Sequence, residues 1–208
     1  MTEAEGASLT TSAVHDQRAQ ALAQAGDFAE AVQVIVTAHG PGVLGYLQAM
    51  APSPDVGEEL YAIVCERLWL ALPTLHWELS PRTWMYAVGR NLLRDHFRGA
   101  RPVAPLSQVP ELRAAIRSTT ATYRRTAAKS KLARLREALD PEDRTLLILR
   151  VDREMPWREI ARILAQSEGD ADVGAAELAK IGARARKRFE RVKLRLREAW
   201  AEDREEDA

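Results

Sequence analysis

Apolar residues recur at spacings of three and four almost throughout this chain, and no segment alternates apolar and polar residues with the period of two that marks a strand. The pattern therefore predicts an all-α protein. Two predicted helix starts carry a further signal, because Ser80-Pro81 and Asp140-Pro141 each place a capping side chain before a proline at the first helical position. The predicted helices lie near residues 14–25, 27–38, 41–50, 55–72, 81–99, 121–138, 141–151, 156–165 and 175–201.

A proline-rich stretch divides the chain. The sequence "GARPVAPLSQVPEL" has three prolines and no helical periodicity, which is typical of a linker. The polar ends, residues 1–12 and 202–208, are expected to be disordered. The predicted organisation is an N-terminal extension at 1–26, a helical domain at 27–99, a linker at 100–120, a second helical domain at 121–201 and an acidic tail at 202–208.

Charge is sorted along the chain although the formal net charge is zero. Residues 1–78 carry two Lys or Arg against ten Asp or Glu, whereas residues 79–139 carry thirteen against three. Residues 180–200 carry nine against two, so the two basic segments lie roughly at 79–136 and 180–197. Two basic segments in an otherwise acidic chain indicate contact with a polyanion in two places, and solvated helix faces are the alternative.

Several classes of chemistry find no support in the sequence. The single cysteine, Cys65, lies among apolar residues and is interpreted as a buried structural thiol, with no Cys/His spacing for zinc. No catalytic triad, glycine-rich phosphate loop or paired carboxylates occur, so we expect no enzyme activity, metal or cofactor. No apolar run of membrane-spanning length or secretory leader occurs either, so we expect a cytoplasmic protein without membrane insertion.

The first basic segment contains the predicted helix "SPRTWMYAVGRNLLRDHFR". On a helical wheel the cations lie opposite an apolar arc, with Arg82 just before them. A stripe of arginines at spacings of four favours an anionic partner. Aromatic residues in and just before this helix suit stacking on unpaired bases, although Trp84 is equally consistent with a core anchor. The wheel places Arg90, Asn91, Arg94 and Arg98 on the polar side, and Trp84, Met85, Tyr86, Val88, Leu92, Leu93 and Phe97 in the apolar arc.

The second basic segment follows a candidate helix-turn-helix. "DREMPWREIARILA" predicts its first helix, and Arg184, Arg188, Arg191 and Arg195 line one side of the next helix. The intervening insertion is divided into a loop at 166–174 and extra helical turns at 175–183, with a break at Gly182 left open. The acidic residues of that loop, Glu168, Asp170 and Asp172, are expected to point away from DNA.

These segments together resemble a bacterial sigma factor of the extracytoplasmic-function type, within the sigma-70 family. "SPRTWMYAVGRNLLRDHFR" is similar to the region two segment that melts the promoter minus-ten element, and "DVGEELYAIVCERLWLALP" to the segment that docks on RNA polymerase. "LREALDPEDRTLLILRVDREMPWREIARIL" followed by "RARKRFERVKLRLRE" resembles region four, which reads the minus-thirty-five element.

The resemblance implies partners and site residues. Core RNA polymerase and promoter DNA are the implied partners, and an anti-sigma factor is a further candidate. The polymerase-docking residues are Glu58, Glu59, Glu66 and Arg67. The minus-ten residues are Arg82, Trp84, Tyr86, Arg90, Asn91 and Arg94, to which the basic stripe adds Arg98; the minus-thirty-five residues are Arg184, Lys187, Arg188 and Arg191, to which it adds Arg195.

Two other functions fit part of the pattern. A DNA-binding regulator could use only the C-terminal helix-turn-helix, with the N-terminal helices as a dimerisation or sensor module. A helical adaptor could bind another protein and no DNA. Promoter-specific transcription with core polymerase distinguishes the sigma factor from both.

Overall fold

The computed structural model describes residues 3–99, 112, 114–120, 139–166 and 173–206. The chain divides into two compact units, residues 1–127 and residues 128–208. Helices dominate the described residues, which contain no strand, so the predicted all-α fold is confirmed. Among the described residues, no helix is long and apolar enough to cross a membrane.

Unit 1 is a helical bundle built around one central helix, α2. This helix packs against α1, α3 and α4. The tyrosine rings of Tyr46 on α2 and Tyr86 on α4 lie 5.6 Å apart in the core. The elements are α1 (Glu3–Gln24), α2 (Phe28–Met50), α3 (Pro54–Ala71), a 3-10 turn (Leu72–Thr74) and α4 (Pro81–Phe97).

The starts of α3 and α4 follow the same local rule. Each has a serine at the N-cap and a proline at the first helical position. The Ser53 hydroxyl accepts from the Val56 N–H at 3.3 Å, and the Ser80 hydroxyl accepts from the Thr83 N–H at 3.2 Å. Because these bonds satisfy N–H groups that have no partner within the helix, they fix where each helix begins. The predicted cap at Ser80 is confirmed.

The predicted interruption between residues 38 and 41 does not occur. α2 runs without a break from Phe28 to Met50, with Pro41 inside it. Pro41 and Thr37, whose carbonyl loses its helical donor, are both exposed, so water can satisfy that oxygen. Buried residues on either side, among them Ile35 and Val43, continue one packed stripe. Packing of that stripe outweighs the local breaking signal.

Two glycines let α2 and α3 approach closely. A Cβ atom on Gly57 would lie 2.8 Å from Cα of Gln48, which is backbone and cannot rotate away. A Cβ on Gly40 would lie 2.2 Å from the hydroxyl oxygen of Tyr61. These contacts exclude larger residues at both positions.

Cys65 lies beside Tyr61 on α3 and is fully buried, as predicted for a structural thiol. Burial raises the pKa of this thiol to about 12. Burial also raises the pKa of the neighbouring Tyr61 well above its ordinary value. Both groups are therefore held in their neutral forms.

Some expectations for the ends and the linker need revision. Helix α1 begins at Glu3 and ties to α2 through Asp16, whose carboxylate lies 2.7 Å from Nε2 of His39. The last helix reaches Glu206, in a segment rich in good helix formers. Within the predicted linker, residues 114–120 are helical and Leu112 is buried. The predicted helix at 121–138 lies outside the described residues.

The described residues of unit 2 form α5 (Pro141–Leu147), a π turn (Ile148–Asp152), α6 (Trp157–Ala165) and α7 (Ala175–Glu206). Helices α5 and α6 both pack against the long helix α7. The Arg150 guanidinium donates to the Met155 carbonyl at 3.0 Å and lies 5.6 Å from the centre of the Trp157 ring. That ring meets Phe189 of α7 at 5.4 Å, edge to face.

Helix α7 passes through Gly182 without a break, so the predicted extra turns at 175–183 are confirmed. Gly182 is buried against α6, where a Cβ would lie 3.6 Å from Cβ of Ala161. The described part of the predicted loop, residues 166, 173 and 174, is not helical. Its acidic residues, Glu168, Asp170 and Asp172, lie outside the described residues.

Candidate nucleic-acid interface

Helix α4 separates its apolar and basic side chains. Arg94 and Arg98 are exposed, and Arg82 and Arg90 are partly exposed. Arg98 forms an ion pair with Asp95 one turn before it. The opposite face is buried in unit 1 through Met85, Tyr86, Leu92 and Leu93. The predicted basic stripe is therefore a surface feature of a helix that is anchored by its other face.

Three aromatic residues of α4 take different positions. Tyr86 is 1% exposed and packs on Tyr46, which contradicts the prediction that it contacts DNA; it belongs to the core. Phe97, which the wheel assigned to the apolar arc, is 55% exposed because the bundle ends before the last turn of α4. Trp84 is partly exposed and lies two turns from Asn91 on one face, so it is available to a ligand.

Asn91 lies on α4 and is partly exposed. Its side-chain oxygen is buried and accepts no hydrogen bond from any described residue. A buried acceptor without a donor costs free energy, and such groups are often retained for function. Next to α4 in sequence, the turn after α3 presents exposed His76 and partly exposed Leu75 and Trp77.

The predicted polymerase-docking residues lie along α3. Glu59 and Arg67 are exposed and Glu66 is partly exposed. Glu58 has a role within the bundle, because its carboxylate accepts from Nε2 of Gln48 at 3.2 Å. Sequence reasoning missed Leu70, which is 69% exposed. Its spacing of four from Glu66 could have identified it, since that spacing places both on one helix face.

The cations of α7 fall into two groups. Arg184, Lys187 and Arg191, all predicted DNA contacts, are exposed on the side opposite the buried residues of the helix. Arg186 and Arg197 are also exposed, and the sequence reasoning did not include them.

The second group of α7 cations binds carboxylates of α5. The Arg188 guanidinium pairs with Asp140 at 2.7 Å and also contacts Glu142 and Asp143. Arg195 pairs with the other oxygen of Asp143, whose side chain is 2% exposed. We name the cluster of Asp140, Glu142, Asp143, Arg188 and Arg195 the α5–α7 clamp. All three nitrogens of Arg188 bind carboxylates of α5, so the prediction that Arg188 contacts DNA is corrected. Arg195 uses one nitrogen and its side chain is 54% exposed, so its contact with DNA stays a prediction.

The α5–α7 clamp also shifts the pKa values of Asp140 and Arg188. Partial burial alone would raise the pKa of Asp140, but hydrogen bonds from the Asp143 and Glu142 amides and the Arg188 charge lower it overall. The Asp143 carboxylate is the main cause of the raised pKa of Arg188. Asp140 also caps α5, since its carboxylate accepts from the amides of Glu142 and Asp143 at 3.1 Å. One carboxylate therefore both starts α5 and joins it to α7.

No group of His, Cys, Asp or Glu suited to hold a metal ion lies within the described ranges. The exposed faces of α4 and α7 instead offer guanidinium groups, and α4 also offers an amide and aromatic rings. These groups can bind phosphates, hydrogen-bond base edges and stack on bases.

Comparison with known proteins bears on unit 1. No curated protein is significantly similar to the chain. Residues 35–103 match the family model of sigma-70 region 2. That span includes all of α3 and α4, and so every predicted docking and minus-ten residue. The match supports a sigma-70 family member with a role in promoter recognition.

Proposed function

We propose that this protein is a sigma factor of the extracytoplasmic-function type, which binds core RNA polymerase and directs it to specific promoters. The observation that carries the proposal is that the region 2 match covers α4, whose cations face outward from a helix anchored in the core. In this proposal the protein is not an enzyme, because the chemistry of RNA synthesis belongs to the polymerase.

In the proposed mechanism, the exposed face of α4 opens the minus-ten element. Arg94 and Arg98 bind backbone phosphates, with Arg82 and Arg90 beside them. Trp84 stacks on an unpaired base, and the side-chain amide of the partly exposed Asn91 hydrogen-bonds a base edge. Extruding a base costs a few kcal/mol, and stacking returns about 1–3 kcal/mol for each base. Phosphate contacts supply the remainder.

Helix α3 is the proposed polymerase-docking element. Glu59, Glu66 and Arg67 provide charges that orient the encounter, and Leu70 provides apolar area to bury. Replacing Leu70 by Ala should weaken core binding about tenfold. Val14, another exposed apolar residue of unit 1, is the matched control, and Val14→Ala should leave core affinity unchanged. Equal affinities for wild type and Leu70→Ala would place the docking surface elsewhere.

Unit 2 is proposed to read the minus-thirty-five element as duplex DNA. Arg184, Lys187 and Arg191 project from α7, and α6 braces that helix at Gly182, as the first helix of a helix-turn-helix does. An anti-sigma factor that covers α3 or α7 is a further proposed partner.

Transcription in vitro with core polymerase over a promoter library tests the proposal. We expect the chain to direct initiation at promoters that share two sequence elements, and to bind those promoters weakly without polymerase. Tight duplex binding by the chain alone, without stimulated initiation, would favour a regulator that is not a polymerase subunit. Core polymerase without the chain is the control.

The melting role has its own test. Trp84→Ala and Asn91→Ala should reduce initiation on double-stranded templates about tenfold or more, because stacking and the amide contact stabilise only the open state. Templates premelted at the minus-ten element should restore most of the activity. Loss of activity on both templates would assign these residues to another step.

A further inference from the structure

The outward face of α7 contains one cation that the sequence analysis did not assign. Lys180, Arg184, Lys187 and Arg191 follow one another at steps of four, three and four residues, which places them on one side of the helix. All four are exposed, and together they span about 16 Å of helix axis. We name these four residues the outer face of α7.

Glu177 binds two cations of the outer face. Its Oε1 atom accepts from Nη2 of Arg184 at 2.9 Å, and its Oε2 atom lies 3.3 Å from Nζ of Lys180. Glu177 and Arg184 are seven residues apart, so two helical turns separate their Cα atoms. The Arg184 side chain must therefore extend toward the N-terminal end of α7 to reach this carboxylate.

Stability does not account for this contact. The side chains of Glu177, Lys180 and Arg184 are all largely exposed, and exposed ion pairs contribute little to folding. A carboxylate beside phosphates also opposes DNA binding. The presence of the Glu177 carboxylate on a surface otherwise suited to DNA therefore indicates a role other than stability.

Glu177 binds one nitrogen of Arg184, so most N–H donors of that guanidinium remain available. A guanidinium has five N–H donors, and Glu177 takes one of them. The remaining donors can form the two parallel bonds that distinguish guanine through its O6 and N7 atoms. An arginine already fixed in direction also loses less conformational freedom on binding.

The rest of unit 2 determines which part of α7 can reach bases. Arg188 is bound by the α5–α7 clamp, and Gly182 lies buried against α6. In helix-turn-helix proteins the N-terminal residues of the second helix contact base edges. Glu177 and Arg184 flank Gly182 within that part of α7.

We propose that Glu177 is a positioning residue that directs Arg184 toward a guanine in the major groove, and that Lys180 is an additional phosphate contact. The inference rests on the proposed role of unit 2 in reading duplex DNA. It adds two residues to that role and assigns Arg184 a specific base.

Selection from a random double-stranded DNA library tests this proposal. Holoenzymes of core polymerase with the full-length wild type, Glu177→Gln or Glu190→Gln would select in parallel. Glu190 is the matched control, because it forms an equivalent exposed pair with Lys193 at 2.7 Å further along α7. We expect Glu177→Gln to lose discrimination at one G·C pair of the upstream element, on the order of tenfold. Glu190→Gln should select the wild-type motif.

A second variant separates positioning from folding. Arg184→Lys keeps the charge but lacks the guanidinium fork, so discrimination should fall at the same base pair as in Glu177→Gln. An unchanged upstream motif for Glu177→Gln, even with lower thermal stability, would overturn the inference. Failure of the wild-type holoenzyme to enrich any upstream motif would instead contradict the proposed function itself.

Discussion

The two units of this protein are stabilised by different kinds of contact. In unit 1, α2, α3 and α4 bury large apolar and aromatic side chains, and the helices approach closely at Gly40 and Gly57. In unit 2, apolar contacts around Phe189 are joined by a charged cluster, the α5–α7 clamp. Unit 1 depends mainly on the close packing of its side chains, whereas unit 2 depends on side-chain packing and on ion pairs.

This difference affects how far a row of cations in the sequence predicts a DNA-binding surface. On α4, the predicted cations are exposed or partly exposed, and Arg98 pairs with Asp95 of the same helix. On α7, the clamp binds all three nitrogens of Arg188 and one nitrogen of Arg195. A count of positive residues therefore overestimates the surface that α7 offers to DNA, and only the contacts distinguish the two groups.

Gly57→Ala should have the largest effect on stability, in unit 1. The added methyl would meet the backbone of Gln48 at 2.8 Å, which no rotamer can relieve. We expect a loss of about 3 kcal/mol in the free energy of unfolding, measured by urea denaturation. Gly89→Ala is the comparison, because its methyl would meet side chains and no backbone, the nearest atom being the flexible end of Leu47 at 3.2 Å. Equal effects would argue against a tight α2–α3 contact.

Asp143→Asn should destabilise unit 2 by about 2 kcal/mol, since it removes a buried carboxylate that two arginines share. Hydrogen exchange in α5 and α7 measures the change within this unit. Glu190→Gln removes only an exposed pair and should change stability by less than about 0.5 kcal/mol. Unchanged exchange in Asp143→Asn would show that the clamp is dispensable.

Alkaline pH should selectively weaken unit 1. Burial raises the pKa of Cys65 to about 12, so the folded state keeps a proton that the unfolded state releases. Stability is full below the ordinary pKa of about 8.5 and falls as pH rises toward 12. Urea denaturation at pH 7 and pH 10 measures this slope. Cys65→Ala should reduce the loss of stability with rising pH, and the loss that remains is due to Tyr61.

Acidic pH should selectively weaken unit 2. The pKa of Asp140 is lowered in the folded state, so its contribution is present above the ordinary pKa of about 4 and is lost as pH falls through the folded value. Hydrogen exchange in α5 should therefore increase below pH 4, and Asp140→Asn should remove part of that dependence. A flat response in wild type would contradict the assigned shift.

The salt dependence of DNA binding gives the smallest expected effect. Removing one phosphate contact lowers the slope of log affinity against log salt by about one. We expect this change for Lys187→Ala and Arg191→Ala. Arg188→Ala should leave the slope unchanged, because the clamp already binds its donors. A reduced slope for Arg188→Ala would place that residue on DNA.

The sequence predicted the elements better than their contacts. Periodicity identified the helices, and serine or aspartate before proline identified two starts, at Ser80 and Asp140. It failed at Pro41, where burial on both sides of the proline keeps α2 intact. A helical wheel could not show that Tyr86 packs on Tyr46, because the position of the neighbouring helix decides which apolar residues are covered.

The errors on α7 have a similar origin. Arg188 and Arg191 are equivalent in sequence pattern, and only the position of α5 separates them. The sequence predicts a helix start at Asp140-Pro141-Glu142-Asp143, and α5 begins there. Its carboxylates also bind α7, a long-range pairing that no local spacing reveals.

Permanganate reactivity of promoter thymines tests the central claim most directly, which is that unit 1 opens DNA and unit 2 reads it as duplex. Core polymerase with the wild-type chain should make minus-ten thymines reactive. At saturating protein, Lys187→Ala should retain this reactivity and Asn91→Ala should lose it while the DNA stays bound. Unreactive thymines with the wild-type chain, or loss with Lys187→Ala but not with Asn91→Ala, would contradict the proposed division of roles.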